Sequence, residues 1–182
     1  MKYAAFFRAL NAGGYGLIKM QRLKELFDSA GFNNVNTYIQ SGNIVFTSPE
    51  KNAALLEKKS EDILIKEMNY LSKTFIRNEN EIFAVIKDNP FAHVQLSKEL
   101  VLYYAFLSTE PGAPEQEYIL SFNSETEQHS ISGRGVYSLI AKNKSKTVYS
   151  GGWLEKKLKI PVTVRNWNTM LKINDMLKNL AE

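Results

Sequence analysis

"IRNEN", residues Ile76 to Asn80, returns 88 residues later as "VRNWN", Val164 to Asn168, in a chain of 182 residues. "SGNIVF", Ser41 to Phe46, returns as "SGRGVY", Ser132 to Tyr137, at a shift of 91 residues. Two landmarks at nearly the same shift point to an internal duplication.

In the first copy, "KYAAFFR" (2–8) predicts an aromatic-rich strand. "KMQRLKELFDSAGF" predicts a helix with Met20, Leu23, Phe27 and Ala30 on one face, and Gly31 closes it as a C′ residue. "VNTYIQ" and "NIVFT" read as a hairpin turned at Ser41-Gly42. Ser48 as N-cap and Pro49 in the first turn predict the start of a long helix. "KTFIR" is a fourth strand. A short helix follows, with Asn78 capping, Glu81 three residues on, and Asn89-Pro90 as the stop.

The second copy repeats the order. "LVLYYAFL", "EQHSIS", "GVYSLIA" and "VTVR" read as strands, with a hairpin around Gly133. "PEQEYILSF", "SGGWLEKKL" opened by Ser150, and "NWNTMLKINDMLKNL" read as helices. The last carries Trp167, Met170, Ile173, Leu177 and Leu180 on one side. The pattern predicts an α+β fold of two ferredoxin-like βαββαβ halves, 1–94 and 98–182, each an antiparallel sheet with helices packed on it. In "VLYYAFL" both alternating sets are apolar, which predicts a sheet buried on both faces.

Composition narrows the chemistry. There is no cysteine, so a disulfide, a zinc–thiolate site and a cysteine nucleophile are excluded. Together with a first apolar run too short for a signal peptide, this sets the expectation of a cytoplasmic protein without a membrane span. Net charge is +4, unevenly spread. Residues 1–24 hold five bases and no acid, 99–133 hold six acids and no base, and 134–182 hold ten bases and three acids. Such asymmetry favours an electropositive face toward an anionic partner.

"RALNAGG" (8–14), "TYIQSGNIVF" (37–46), "NPF" (89–91) and "TVRNWNT" (163–169) together resemble the signature segments of the bacterial family known as domain of unknown function 1697. The resemblance spans nearly the whole chain. It implies a duplicated ferredoxin-like α+β fold and carries no activity with it. In that family the first motif more often reads Gly-Ile-Asn-Val where this chain has Ala9, Leu10, Asn11 and Ala12. A missing glycine at residue 9 sets the expectation that this position needs no special backbone angle.

Candidate binding residues follow from chemistry. Gly13-Gly14 can expose backbone N–H groups. The helix after them opens on Lys19 and Arg22, where the positive end of the macrodipole favours acids instead. A bound phosphate or carboxylate would offset those charges. The stretch satisfies neither G-x-x-x-x-G-K-[ST] nor G-x-G-x-x-G. Arg8, Asn11, Gly13, Gly14 and Lys19 therefore form the first candidate group. Tyr38 and Gln40 alternate to one strand face and join it. Arg165 and Trp167 form a second, with Asn166 placed to cap the last helix. "AKNKSK" (141–146) adds Lys142, Lys144 and Lys146.

His93 and His129 lack the partners of a metal site, no carboxylate pair stands out for acid–base work, and no motif calls for a cofactor. Three readings result. The first is a binding protein for a phosphate-bearing ligand, either a nucleotide or a nucleic acid. The second is an enzyme on a small anionic metabolite at the junction of the halves. The third is an interaction module without a ligand, marked by exposed strand edges.

Overall fold

Alternating apolar strands and one-sided helices assemble as expected in their type. In the computed structural model, residues 1–11, 17–40, 42–69, 72–144 and 149–181 are described. The chain divides into two compact units, 1–86 with 171–182, and 87–170. The halves expected from the sequence are 1–94 and 98–182; the compact units divide between 86 and 87 and again between 170 and 171, inside the last helix.

The first unit contains β1 (Lys2–Phe7), α1 (Met20–Ser29), β2 (Asn33–Tyr38), β3 (Asn43–Thr47), α2 (Ala53–Met68), β4 (Thr74–Asn78) and α3 (Glu79–Lys87). Its antiparallel sheet has the order β2-β3-β1-β4. Tyr3, Ala5, Phe7, Ile44, Phe46 and Ile76 face the helices and pack with Leu23 and Phe27 of α1 and Leu56 and Leu64 of α2. Phe32 joins them, 4.8 Å from Phe27 and 4.8 Å from Phe46.

α1 ends as its sequence predicts. Gly31, at φ +83°, donates to the Asp28 carbonyl, and Phe32 N–H donates to that of Phe27. This is a Schellman motif, and the Phe27–Phe32 contact is its apolar clasp. α3 opens on a capping box. Asn78 Oδ1 accepts from Glu81 N–H at 2.9 Å, and Glu81 Oε2 accepts from Asn78 N–H at 2.8 Å.

The start of α2 corrects the sequence reading. Asn52, not Ser48, is the N-cap, and its side chain accepts from Ala54 N–H. Residues 48–52 cannot turn early because the amino terminus holds them. Ser48 N–H donates to the Met1 carbonyl, and the Tyr3 hydroxyl donates to the Glu50 carbonyl at 2.8 Å.

The second unit contains β5 (Leu100–Leu107), α4 (Ala113–Leu120), β6 (Glu127–Ser132), β7 (Gly135–Ala141), α5 (Gly151–Leu158), β8 (Val162–Asn166) and the start of α6 (Trp167–Lys178). Its sheet order is β6-β7-β5-β8, antiparallel throughout. Ala105, Leu107, Val136 and Val162 pack against Ile119 of α4 and Leu154 and Leu158 of α5. Ser150 caps α5 as predicted, accepting from Trp153 N–H at 3.1 Å.

Both faces of both sheets are buried, as the doubly apolar strands require. On the face away from the helices, Ala4, Phe6, Val45 and Phe75 are buried in the first unit, and Leu102, Tyr104, Phe106, Tyr137 and Leu139 in the second. The five residues of the predicted stripe, from Trp167 in α6 to Leu180 just past its end, are all buried. Among the described residues no helix is long and apolar enough to cross a membrane.

Sheet register matches positions of one sheet to positions of the other. Asn78 lies opposite Tyr3 and Asn166 opposite Tyr103, so the shift of 88 residues between "IRNEN" and "VRNWN" holds in space. Phe46 also lies opposite Tyr3, but Ser138 lies opposite Tyr103, a shift of 92 rather than 91. The hairpins differ in length. Tyr38 pairs with Asn43 across four residues, whereas Ser132 pairs with Gly135 across two. A one-residue slip exchanges the two faces of a strand, so register decides which residues correspond.

Candidate functional site

The first candidate group lies at one end of the first sheet. Gly13, Gly14 and Ser41 fall outside the described residues, but both ends of the 12–16 segment are placed. One side chain closes that neck. Asn11 Oδ1 accepts from Ile18 N–H at 2.7 Å, and Asn11 Nδ2 donates to the Ile18 carbonyl at 3.0 Å and the Gln40 carbonyl at 2.9 Å. Asn11 and Gln40 are thus brought together as the sequence suggested. The amide of Asn11 is engaged in holding backbone.

Three non-glycine residues adopt left-handed angles here: Ala9 at φ +53°, Asn11 at +59° and Ile39 at +50°. The expectation that residue 9 needs no special angle is therefore corrected. An alanine occupies a conformation that costs an L-residue about 1–2 kcal/mol, where a glycine would sit without strain. Asparagine tolerates this region best among the three, because its short polar side chain bonds locally.

The basic start of α1 is also different from its sequence impression. Arg22 forms a two-pronged pair with Glu67 of α2, at 2.7 and 3.0 Å, and lies 3.8 Å from Glu25. That pairing raises Arg22 and lowers Glu67 from their ordinary pKa values, with the shared hydrogen bonds as the largest cause in each. Lys24 pairs with Asp28 at 2.6 Å. The acid that offsets Arg22 comes from a tertiary neighbour. Lys19 caps α1 by backbone alone and is exposed. Arg8 is half-buried, its N–H donating to the Lys73 carbonyl and its carbonyl accepting from the Ser72 hydroxyl. Tyr38 is half-buried, its carbonyl accepting from Asn43 Nδ2.

The second group gives a concave site. A cleft of about 470 Å³ in the second unit is lined by Ser97, Lys98, Leu102, Lys142, Asn166, Trp167 and Asn168, with Leu96 and Val101. Three local features build it. The Ser97 hydroxyl accepts from the N–H groups of Glu99 and Leu100, at 3.1 and 3.0 Å, and turns the chain into β5. Lys142 N–H donates to the Glu99 carbonyl at 2.8 Å, which brings the end of β7 beside that turn. Asn166 Oδ1 accepts from Asn168 N–H at 2.9 Å and starts α6 at the same place.

The first turn of α6 contains no acid. Its positive end therefore faces a cleft that also carries two exposed lysines, Lys98 and Lys142. Trp167 is buried at 6% exposure, 6.2 Å ring to ring from Tyr137. It serves as wall rather than as a free stacking surface. Lys98 carried no signal in the sequence reading, because nothing in "LSKEL" marks a lysine that a distant asparagine cap will face.

Arg165, the other member of this group, is not among the lining residues. It lies on the sheet opposite Tyr104, as Arg77 lies opposite Ala4. Each arginine donates from one Nη to the carbonyl of the residue before it, at 2.9 Å, and Arg165 also reaches the Thr163 hydroxyl at 2.7 Å. Burial pulls the Arg165 guanidinium down to about 10. The two arginines thus make the same contact with their own strands.

One array has the composition of a nucleophilic triad. His129 Nδ1 lies 2.9 Å from Ser138 Oγ, and His129 Nε2 lies 3.9 Å from Glu127 Oε1. Ser138 is 0% exposed, so no substrate reaches its hydroxyl in this state. Among the described residues, no group of three His, Asp or Glu side chains converges as metal ligands.

The strand edges bear on partner binding. Glu57 and Glu61 of α2 accept from the outward N–H groups of Ile76 and Thr74 on β4, and Glu155 of α5 accepts from that of Val162 on β8. On β6, Asn123 accepts from His129 N–H at 2.6 Å. These side chains occupy donors that an added strand would need.

Comparisons with known proteins agree with this architecture. The structure of a conserved bacterial protein, SP0830 from Streptococcus pneumoniae, superposes with a TM-score of 0.75 at 25% sequence identity. The match covers 97% of this chain and 98% of that one. No curated protein matches. The model of one family, proteins of unknown function designated DUF1697, matches residues 1–137, and the chain belongs to that family.

Proposed function

We propose that the protein binds a small phosphate-bearing ligand, with a nucleotide as the leading class, in the cleft of the second unit. The observation that carries this reading is the meeting of Lys98, Lys142 and the acid-free start of α6 on one concavity. Its volume lies within the usual range for small-molecule sites, about 300–1,000 Å³. Fixed dipoles and lysines together favour an anion. A small ligand is preferred to a nucleic acid because the sheet aromatics Tyr104 and Tyr137 are buried and offer no platform for stacked bases. The covered edges of β4, β6 and β8 speak against an interaction module that works by strand addition.

The same element order and strand order in the two units support their reading as duplicated ferredoxin-like halves. On that reading the cleft arises where the copies have diverged. Trp167 and Thr169 stand where the first copy has Glu79 and Glu81, and Glu79 and Glu81 place acid in the first turn of α3.

Calorimetric titration with inorganic phosphate and with a nucleoside 5′-monophosphate tests the proposal. Binding that weakens as salt rises, and at least tenfold with Lys98→Ala and Lys142→Ala combined, is the expected result. Binding that persists unchanged in that double variant would move the site elsewhere, and no binding of either probe at low salt would refute the reading.

A further inference from the structure

The second unit encloses a hydrogen-bonded set that the cleft does not use. His129 on β6 is 4% exposed. Its ring packs beside Tyr149, 5.9 Å away and inclined by 28°, and Trp153 of α5, 6.3 Å away and inclined by 22°; those two rings are 5.9 Å from each other. Ser138 on β7 donates its hydroxyl to the Tyr149 oxygen at 2.7 Å. That hydroxyl can then only accept from His129, so Nδ1 carries the ring proton and Nε2 is a bare lone pair. Nε2 is buried and has no hydrogen-bond partner.

On balance this arrangement favours a neutral imidazole. A second proton on Nε2 would need an acceptor. The nearest carboxylate, Glu127 on the same strand, lies 3.9 Å away, beyond hydrogen-bond reach. The other groups facing the ring are Ser138 of β7, Tyr149, and Trp153 of α5, with Tyr103 of β5 behind Tyr149 at 5.4 Å. None of them is anionic at neutral pH.

We propose that His129, Ser138 and Tyr149 form a latch that acid releases: a proton on His129 opens the contact between the β6–β7 hairpin and the segment that leads through Tyr149 into α5. The proposal stands whether or not the cleft binds an anion. Burial is the largest influence on His129 and holds its pKa below the ordinary histidine value, while Glu127 pulls the other way. The sign follows from linkage. The folded chain resists the proton and the unfolded chain accepts it near pH 6.5, so stability is complete above about that pH and falls as the pH drops through it, by up to about tenfold in the unfolding constant per pH unit.

The chain has two histidines, of which His129 is buried and His93 exposed. NMR titration of the ring signals from pH 8 to 5 is expected to show His129 staying neutral in the folded protein. Urea unfolding over the same range is expected to show the loss of stability, and His129→Gln, which cannot take the charge, to remove it. Hydrogen exchange, corrected for intrinsic rates, is expected to accelerate in α5 before α1 as the pH falls. If His129→Gln does not fold, the ring titration and exchange of the natural chain decide. His129 taking up its proton over that range within the folded state, equal pH dependence in the two proteins, or uniform acceleration in both units would each overturn the latch.

Discussion

Phe46 and Ser138 occupy corresponding places, each opposite a tyrosine on the helix-facing side of its sheet. In the first unit Phe46 stacks on Tyr3 at 5.6 Å and meets Phe32 edge-on at 4.8 Å. The result is a core of hydrocarbon rings. In the second unit Ser138 leaves that volume open, and His129 and Tyr149 fill it with a hydrogen-bonded set. Strand order is the same in both. The frame therefore tolerates either chemistry, provided that volume is filled and polar atoms find partners. What changes is sensitivity. A ring-packed core responds to lost volume, and the polar one to lost partners and to protons.

The opposite face shows a matching exchange. Ala4 and Asn43 in the first unit correspond to Tyr104 and Gly135 in the second. A Cβ at Gly135 would run into the Tyr104 ring and hydroxyl. Glycine is required there by the approach of Tyr104 rather than by a backbone angle.

The largest test of this contrast is Phe46→Ser, which gives the first unit the second unit's residue without its fillers. It is expected to cost about 3–5 kcal/mol from the cavity it leaves, measured by chemical denaturation. A loss below about 1 kcal/mol would mean that the first core can repack as the second has. Next is Gly135→Ala, which forces Tyr104 aside. Overpacking of this kind costs about 1–3 kcal/mol, and Tyr104→Phe in the same chain should recover part of it, since the hydroxyl is the first atom met. The smallest effect runs the other way. Ala9→Gly is expected to stabilise the first unit by about 0.5–1 kcal/mol, because relief of the left-handed angle outweighs the greater freedom of glycine in the unfolded chain. A drop in the denaturation midpoint would show that the angle at residue 9 relaxes in solution.

Local chemistry made much of this molecule legible. The stripe from Trp167 to Leu180, the Asn78–Glu81 box, the Gly31 stop and the Ser150 cap depend on residues within a few positions of each other, and all stand as read. So do the four strands of the second unit, whose apolar runs are bounded by turn residues. Of the candidate site residues, Trp167 lines the cleft, and Lys142, noted for its basic segment, lines it too. Asn11 and Gln40 meet, though as a clamp on backbone.

The sequence by itself determined which residues form strands and helices and which faces they bury, because periodicity and capping are properties of neighbours along the chain. Tertiary structure alone decided four things. Met1 and Tyr3 tie down residues 48–50, and α2 is capped by Asn52. Glu67 reaches Arg22 from 45 residues away and takes up the charge that made the start of α1 look like an anion site. Hairpins of unequal length set Ser138, not Tyr137, opposite Tyr103. Lys98 meets Lys142 only because the turn at Ser97 and the end of β7 are hydrogen-bonded side by side. Each depends on a partner remote in sequence, and chain closure, rather than local preference, brings such partners into reach.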